Sequence, residues 1–340
     1  MAKLDTLETS KTSRVIVYGG PKVGKTQLVG DLSKNYNLLW FDLENGKDTL
    51  FKLPKEQQAR IEIVSLPDTK DYPIAIETML KVIKGTRTEI CDKHGKVACT
   101  VCKKSVSPFT VVELSAIKND TIVVIDSLTQ LSNSCMAHIT KNNSDELAKI
   151  EWDEYNKQGM LLDKILSNIQ QATYNIVVIS HETESTFEDG RKKLVPVAGT
   201  ANFSRNTAKY FDHVVYTEVK NKKHNFASSS TYSNGLVTGS RTGVAIEDMK
   251  APSLDGIFTY TLGDVVEDQA KVSTDAEIVI TQLRVQAEVA QGALEETVPT
   301  VPVITSPVET PTPTPTPTAK LNALDQMKAR LAAQKAKQPI

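Results

Sequence analysis

The stretch Gly19-Gly20-Pro21-Lys22-Val23-Gly24-Lys25-Thr26 decides the fold of this chain. It fits the pattern G-x-x-x-x-G-K-[ST], in which the backbone N–H groups of a glycine-rich loop turn inward on bound phosphates. The apolar run 15–18 precedes the stretch, and a helical pattern begins at Gln27. A P-loop requires this position between a strand and the N-terminus of a helix, because the helix dipole adds partial positive charge there. The sequence therefore predicts a phosphate-binding P-loop.

Two side chains of this stretch carry most of its chemistry. Lys25 would reach the β- and γ-phosphates of a nucleotide, and the Thr26 hydroxyl would ligate Mg²⁺. The backbone around them would complete the phosphate cradle. The predicted nucleotide contacts are Gly19, Gly20, Pro21, Lys22, Val23, Gly24, Lys25, Thr26 and Gln27.

Length and composition limit the kinds of protein that the chain can be. With 340 residues, 40% of them hydrophobic, it can form one large α/β domain with appendages. A net charge of −1 produces no general field for nucleic acid, so any basic surface must be local. The segment 1–13 is polar and lacks the apolar run of a signal peptide, and no run of about eighteen apolar residues occurs. We expect a cytoplasmic protein without a membrane segment.

A second candidate group follows the next predicted strand. The segment 37–46 predicts an apolar strand whose far end carries two carboxylates, Asp42 and Glu44, and Gly46. Ligands of open α/β sheets bind at the carboxyl ends of the strands, so Glu44 would face the nucleotide. It is the candidate for the carboxylate that orients the attacking water. The alternative is a solvated carboxylate in a turn.

A third candidate is the aspartate that ends a short buried run. The run 121–125 is apolar and is followed by Asp126. Because it comes after a P-loop in the same chain, it has the pattern of a Walker B strand, whose carboxylate holds Mg²⁺ opposite Thr26. Thr26 and Asp126 are therefore the predicted magnesium ligands.

The strand predicted at 175–181 ends in His181, at the same edge of the sheet. This histidine is either a sensor of the γ-phosphate or an ordinary polar residue at a strand end. The polar segment 182–200 would form a hairpin or a mobile loop. Its basic residues would bind nucleic acid, or the segment is a solvated turn.

Two later positions are candidates for a residue that reaches the γ-phosphate of a neighbouring subunit. One is the lysine cluster after the strand 210–219, with Lys220 and Lys222. The other is Arg241, in a glycine-rich turn. Ordinary surface charge is the alternative for both.

A cysteine-rich insert, 88–107, precedes the Walker B strand. Cys91 and His94 have the spacing C-x2-H, and Cys99 and Cys102 have the spacing C-x2-C. Two such pairs on tight turns supply the four ligands of a tetrahedral, structural Zn²⁺ site. The alternative is a set of reduced cysteines without a metal.

Beyond residue 265 the composition changes. The segment 266–297 is predicted to form a helical extension, and 298–318 is a Pro/Thr-rich linker that lacks the means to bury a core. The segment 319–340 has apolar residues at helical spacing and an excess of Lys and Arg, which predicts a short basic amphipathic helix. Such a helix would dock to an acidic partner or to DNA, or it would stay disordered.

The order of these motifs resembles that of RecA-type ATPases. More narrowly, it resembles phage RecA-like ATP-binding proteins, which include single-strand annealing proteins of the fourth Sak type. The resemblance is carried by the P-loop, Glu44, Asp126 and the segment Ser180-His181-Glu182. It implies an α/β core at 13–265, in which helices flank a mostly parallel central sheet. It also implies ATP as the nucleotide and Glu44 as the catalytic carboxylate.

The same resemblance implies a function. We expect a Mg²⁺-dependent, DNA-stimulated ATPase of phage DNA recombination, which binds single-stranded DNA through the region after Ser127 and through 182–200 and promotes annealing or strand pairing. It would act as a homo-oligomeric ring or filament in the host cytoplasm, and its C-terminal helix would contact a single-strand-binding protein. The alternatives are a nucleotide-gated scaffold and a helicase- or loader-type ATPase of phage DNA replication. The expected catalytic set is Lys25, Glu44, Asp126, His181 and Arg241.

Overall fold

The computed structural model of the chain describes residues 12–70, 72–102, 109–141, 149–221, 223–228, 235–241, 243 and 253–259. These ranges form one large sheet with helices packed on it, and a separate two-stranded arm. The strands are β1 (Arg14–Gly19), β2 (Asn37–Asp42), β3 (Ile61–Ser65), β4 (Thr88–Cys91), β5 (Phe109–Val112), β6 (Thr121–Asp126), β7 (Asn175–Thr186), β8 (Lys192–Pro196), β9 (His213–Lys220), β10 (Lys223–Ala227) and β11 (Gly239–Ser240). The α-helices are α1 (Lys25–Gly30), α2 (Lys55–Gln58), α3 (Ile74–Val82), α4 (Leu128–Thr140), α5 (Trp152–Gln170), α6 (Ala201–Asn206) and α7 (Asp255–Thr259).

The order of the strands brings the ends of several of them together. The large sheet runs β10-β9-β1-β7-β6-β2-β3, with β8 also paired to β7 and β11 to β9. From β9 to β3 the neighbours are parallel, whereas β8, β10 and β11 pair antiparallel. Because β7 lies between β1 and β6, the carboxyl ends of β1, β7, β6 and β2 form one continuous edge. Ligands of such sheets bind at that edge.

Both faces of the central strands are buried. In β1, Val15 and Val17 pack into one apolar layer with α1, and Ile16 and Tyr18 pack into the other layer with α3, α4 and α5. A strand that is covered on both faces has no polar side to alternate with its apolar side. The continuous apolar run that precedes the P-loop in the sequence therefore reflects a strand in the middle of the sheet.

The predicted α/β fold, with helices flanking a mostly parallel sheet, is confirmed. The structure also distinguishes between the two alternatives for 182–200. The strand β7 continues past His181 to Thr186, where residues 182–186 pair with β8, so the segment forms the predicted hairpin and not the mobile loop. The strand β9 is followed in the chain by β10 and β11, which both pair with it.

The cysteine-rich insert forms the separate arm. The strands β4 and β5 pair antiparallel, so the arm continues to Val112, past the predicted limit at residue 107. The predicted C-terminal extension 266–297, linker 298–318 and amphipathic helix 319–340 lie outside the described residues. None of the helices in the described ranges combines the length and the apolar character needed to cross a bilayer.

Candidate functional site

The predicted P-loop connects β1 to α1 and folds around the side chain of its lysine. Lys22 and Gly24 have positive φ values of 62° and 96°, which turn the chain sharply before α1. The Lys25 side chain is buried, and its Nζ donates hydrogen bonds to the carbonyl oxygens of Gly19 (2.9 Å) and Gly20 (2.6 Å). Burial lowers the pKa of Lys25, and nearby carboxylates oppose that shift. The ammonium is thus held inside the loop, where it can exchange carbonyl oxygens for phosphate oxygens.

The first glycine of the loop is required by packing as well as by phosphate binding. Gly19 pairs with Thr217 of β9 in the register of the sheet. A Cβ atom at Gly19 would lie 2.1 Å from the carbonyl oxygen of Thr217, which is closer than any side chain allows. The close approach of β9 therefore restricts this position to glycine.

Thr26 and Asp126, the predicted magnesium ligands, lie together. The Thr26 hydroxyl donates a hydrogen bond to Oδ2 of Asp126 at 3.3 Å. Asp126 is buried, and the register of β2 with β6 places Asp42 beside it. Burial, together with the charges of Glu44 and Asp42, raises the pKa of Asp126 to about 7. Carboxylates that converge in this way attract a cation.

The donor atoms at this point fit Mg²⁺. Asp42 is fully buried, and its Oδ1 accepts a hydrogen bond of 2.9 Å from the backbone N–H of Gly46. Its Oδ2 has no hydrogen-bond partner within the described part of the chain. A buried carboxylate oxygen is costly unless a cation or water satisfies it. Thr26 and Asp126 supply the hydroxyl and carboxylate oxygens that Mg²⁺ prefers, and Asp42 lies where a carboxylate can accept from magnesium-bound water.

Glu44 lies just beyond the end of β2, and two polar side chains hold it. Its Oε1 accepts a hydrogen bond from the Ser127 hydroxyl and lies 3.6 Å from Nε2 of His181. The backbone N–H of His181 donates to the Thr129 hydroxyl at 2.9 Å, which fixes this part of β7 against α4. The Glu44 side chain is 33% exposed, so water reaches it. This geometry suits a carboxylate that positions water.

Open space borders this carboxylate on the side of α4. A cavity of about 500 Å³ lies there, with room for water next to the glutamate. Its lining residues are Leu43, Glu44, Pro67, Asp68, Thr129, Gln130, Asn133 and His181.

Two residues outside the predicted nucleotide contacts lie against the P-loop. His224 of β10 is hydrogen-bonded through Nδ1 to the carbonyl oxygen of Val23 at 2.9 Å, and its ring atom Cε1 lies 3.0 Å from where a Cβ of Gly24 would be. On the other side, Glu182 Oε1 lies 3.4 Å from where a Cβ of Gly20 would be. The loop is therefore held from both sides by strands that follow it late in the chain.

Glu182 is also part of a buried polar group. The Tyr216 hydroxyl donates a hydrogen bond to Glu182, and burial followed by this bond raises the pKa of that tyrosine. The second carboxylate oxygen, Oε2, is buried and has no hydrogen-bond partner among the described residues. The charge of Glu182 acts on the ammonium of Lys25.

The candidates for a residue that acts on a neighbouring subunit lie at opposite ends of the strand β9. Lys220 ends β9, at the same edge as the P-loop, and Lys222 lies outside the described residues. Arg241 follows β11, which pairs with the beginning of β9, and its Nη1 lies 3.2 Å from Asp212 Oδ1. Because β9 has eight residues, its two ends lie roughly 23 Å apart. Within one chain, Arg241 is therefore not brought together with the other predicted catalytic residues, and its role in a neighbouring subunit stays a prediction.

The hairpin of β7 and β8 pairs much of its positive charge internally. Lys192 lies 2.8 Å from Glu184, and Arg191 lies 3.5 Å from Asp189. The ammonium of Lys193 lies 5.5 Å from the ring centre of Phe187. The predicted basic surface of 182–200 is thus weaker than the count of its lysines and arginines indicates.

The predicted zinc ligands converge at one point of the arm. One ligand atom from each of Cys91, His94, Cys99 and Cys102 lies within 4.8 Å of the others, and the three sulfurs are buried. No disulfide involves these cysteines or Cys135, which lies in the main core. The cluster therefore has the donor set and the compactness of a zinc site.

The P-loop lies within the part of the chain that matches a known protein family. A family model described as AAA domain matches residues 11–244, which is more than half of the chain. One similar solved structure is a prototypical ATPase from the type III secretion system of pathogenic bacteria. It is 12% identical, with a TM-score of 0.33 over 61% of this chain and 52% of that one, so the chain spans about half its length. No curated protein matches the chain.

Proposed function

This chain belongs to the AAA domain family, and on that premise we propose that it is a Mg²⁺-dependent ATPase of phage DNA recombination. The observation that carries the proposal is the meeting of four groups at one edge of the sheet. The P-loop lysine, the Thr26–Asp126 pair and the Glu44 carboxylate come from three separate strand ends. The lysine is needed for phosphate binding, the Thr26–Asp126 pair for metal binding, and the Glu44 carboxylate for water activation.

The residues divide the work of hydrolysis as follows. Lys25 releases the carbonyl oxygens of Gly19 and Gly20 and binds the β- and γ-phosphates. Thr26 and Asp126 would hold Mg²⁺, which would supply positive charge to neutralise the phosphates. Glu44, held by Ser127 and His181, orients the attacking water and accepts its proton.

A basic surface supports the proposed DNA partner. Two neighbouring clefts of about 440 and 430 Å³ share Lys81 and Lys84, at the end of α3. Phe109, which is partly exposed, lines the first cleft as a platform on which a base could stack. Lysine and arginine side chains bind the phosphate backbone without regard to sequence. The other basic side chains of the two clefts are Arg87, Lys164 and Lys141, of which Lys141 pairs with Glu77, and Glu89 is the second acidic residue of the lining.

The composition of the cavity beside Glu44 supports an oligomeric ATPase. None of the described residues that line it is a lysine or an arginine. A cation that stabilises the transferred phosphate from this side would have to come from another subunit, as in ATPases with trans-acting fingers. We propose a homo-oligomeric ring or filament, acting in the cytoplasm of the host and promoting annealing or strand pairing.

The proposal is tested by ATP turnover with and without single-stranded DNA, together with the mass of the ATP-bound assembly. We expect DNA to stimulate turnover and ATP to increase the mass of the assembly. A protein that hydrolyses ATP but neither binds DNA nor responds to it would instead be a nucleotide-gated scaffold.

The position of the DNA can be tested separately. The double variant Lys81→Glu/Lys84→Glu should weaken binding of single-stranded DNA at least tenfold. It replaces two positive charges that line both clefts by negative charges, which repel the phosphate backbone. The matched control is Lys52→Glu/Lys55→Glu, which reverses the same charge at exposed positions near α2. Equal loss of DNA affinity in both variants would show that the effect is one of net charge and not of the clefts.

A further inference from the structure

The arm of β4 and β5 buries few apolar side chains apart from those that pack into the main core. Ile90 and Val112 pack into the main core. The described residues between them form one small cluster, made of Cys91, Cys99 and Cys102, with Phe109 packed against it. Segments of this size usually need a disulfide or a metal to stay folded. Because these cysteines form no disulfide, a bound metal is the remaining cross-link that could hold the arm folded.

The distances among the four side chains describe a cage. Nδ1 of His94 lies 3.2 Å from Cys102 Sγ and 3.6 Å from the Sγ atoms of both Cys91 and Cys99. The sulfurs of Cys91 and Cys102 are 3.1 Å apart, well beyond the disulfide length of about 2.05 Å. Zinc–sulfur bonds of about 2.3 Å in a tetrahedron place ligand atoms roughly 3.5–3.8 Å apart. The four ligand atoms, all within 4.8 Å of one another, thus lie close to the spacing that a zinc ion requires.

The backbone is folded to present these ligands. The carbonyl oxygen of Cys91 accepts hydrogen bonds from the N–H groups of His94 (3.3 Å) and Gly95 (2.7 Å), which closes a tight turn between the first two ligands. Gly95 and Ala98 have φ values of 64° and 54°, so the chain reverses again before Cys99. A positive φ is unfavourable for alanine, and a ligand that requires the turn would compensate for that cost.

The turn also contacts α3 and the end of β3. The carbonyl oxygen of Gly95 accepts a hydrogen bond from the Thr78 hydroxyl at 2.8 Å, and a Cβ at Gly95 would lie 2.9 Å from the carbonyl oxygen of Ser65. Ser65 ends β3 and pairs with Asp42, the buried carboxylate beside Asp126. The turn that carries the cluster therefore lies against the strand end that is next to Asp42.

We propose that Cys91, His94, Cys99 and Cys102 bind one Zn²⁺ ion in a closed tetrahedral site that fixes the arm to the end of β3. Four protein ligands leave no position for water, so the ion is structural rather than catalytic. Binding releases the protons of the thiols that become thiolates. The proposal does not depend on the ATPase activity, and either one can fail while the other stands.

Elemental analysis of the full chain, purified without chelator or affinity-tag metal, is the direct test. We expect one zinc per chain, and less than a tenth of that in Cys99→Ser. The matched control is Cys135→Ala, which removes a buried cysteine outside the cluster and should keep its zinc. The melting temperature of Cys99→Ser should fall by about 5 °C or more, because metal binding energy is folding energy.

A second measurement covers the case in which Cys99→Ser does not fold. The unmutated chain is stripped of metal with a chelator and titrated with Co²⁺, which should give the intense visible absorption of tetrahedral cobalt bound to thiolates. Zinc below a tenth per chain in a folded, zinc-supplemented preparation would overturn the proposal. So would a disulfide among these cysteines found by mass spectrometry, or a cobalt spectrum of octahedral type.

Discussion

The Thr26 hydroxyl donates a hydrogen bond of 3.3 Å to Oδ2 of Asp126, although the two residues are 100 positions apart in the chain. The bond joins the first turn of α1 to the end of β6, across the intervening strand β7. It places the hydroxyl and the carboxylate that a magnesium ion would share. The proposed ATP hydrolysis depends on this pair of magnesium ligands.

Replacing the carboxylate of Asp126 should make ATP binding less dependent on Mg²⁺. Asp126→Asn should reduce the gain in ATP affinity that Mg²⁺ provides by tenfold or more, because an amide is a weaker ligand and removes the charge. The measurement is ATP affinity at increasing Mg²⁺ concentration. Asp120→Asn, an exposed position just before β6, is the matched control and should behave as the unmutated chain does. An unchanged magnesium dependence in Asp126→Asn would contradict the assignment.

Glu44→Gln should leave ATP bound and slow its turnover. The amide can still accept the hydrogen bond from Ser127, but it cannot take a proton from water, so turnover should fall by about 100-fold or more. Single-turnover hydrolysis measures this step apart from product release. Glu62→Gln, an exposed glutamate on β3, serves as the control. Turnover within twofold of normal in Glu44→Gln would remove this residue from the mechanism.

His224→Ala should weaken nucleotide binding more than it slows turnover. The imidazole is hydrogen-bonded to the Val23 carbonyl oxygen and packs on Gly24, so its loss frees the outer half of the P-loop. A single neutral hydrogen bond corresponds to about fivefold in affinity. The split between KM and kcat is the readout, and His224→Asn, which keeps a donor, should recover part of the loss. Equal losses in both kinetic constants would point to a role in the chemical step instead.

His213 should make the stability of the protein fall in acid. It is buried at the start of β9, where burial, and then Arg241 and Arg14, lower its pKa to about 4, against the opposing charge of Asp212. The unfolded chain binds a proton from about pH 6.5 downward, whereas the folded chain does not until about pH 4. Stability is therefore lost as the pH falls through this window, by about 3 kcal/mol in total.

The measurement for His213 is the free energy of unfolding by urea between pH 4 and pH 7, compared with His213→Gln. The variant should be less stable at pH 7, since it alters the contact with Ser240 at 3.0 Å, but its stability should depend less on pH. Parallel pH profiles for the two proteins would show that the histidine titrates normally in the folded state.

The sequence predicted those parts of the site that depend on local pattern. The P-loop was recognisable because its glycines, lysine and threonine are consecutive and lie between a strand and a helix. Glu44 and Asp126 were recognisable because each follows an apolar run, and parallel strands bring their carboxyl ends to one edge. The cysteine and histidine spacing likewise predicted that four ligands would converge, as they do.

The remaining contacts of the site depend on pairings that the sequence does not fix. His224 reaches the P-loop only because β10 folds back on β9 so that Lys223 pairs with Lys220. A signal was present in Asn221, a residue that favours turns and has a φ of 53°, between two short runs of strand type. Arg241 was grouped with the catalytic residues from a glycine-rich turn alone. The pairing of β11 with the start of β9 decides its position at the opposite edge.

Calorimetric titration of ATP with Mg²⁺ into the full chain and into Lys25→Ala tests most directly whether the P-loop binds ATP. The unmutated chain should bind one ATP per subunit, and Lys25→Ala should lose at least a hundredfold in affinity while keeping its circular dichroism spectrum, because the buried ammonium is the main positive charge inside the loop. No binding by the unmutated chain, or equal binding by both proteins, would contradict the account.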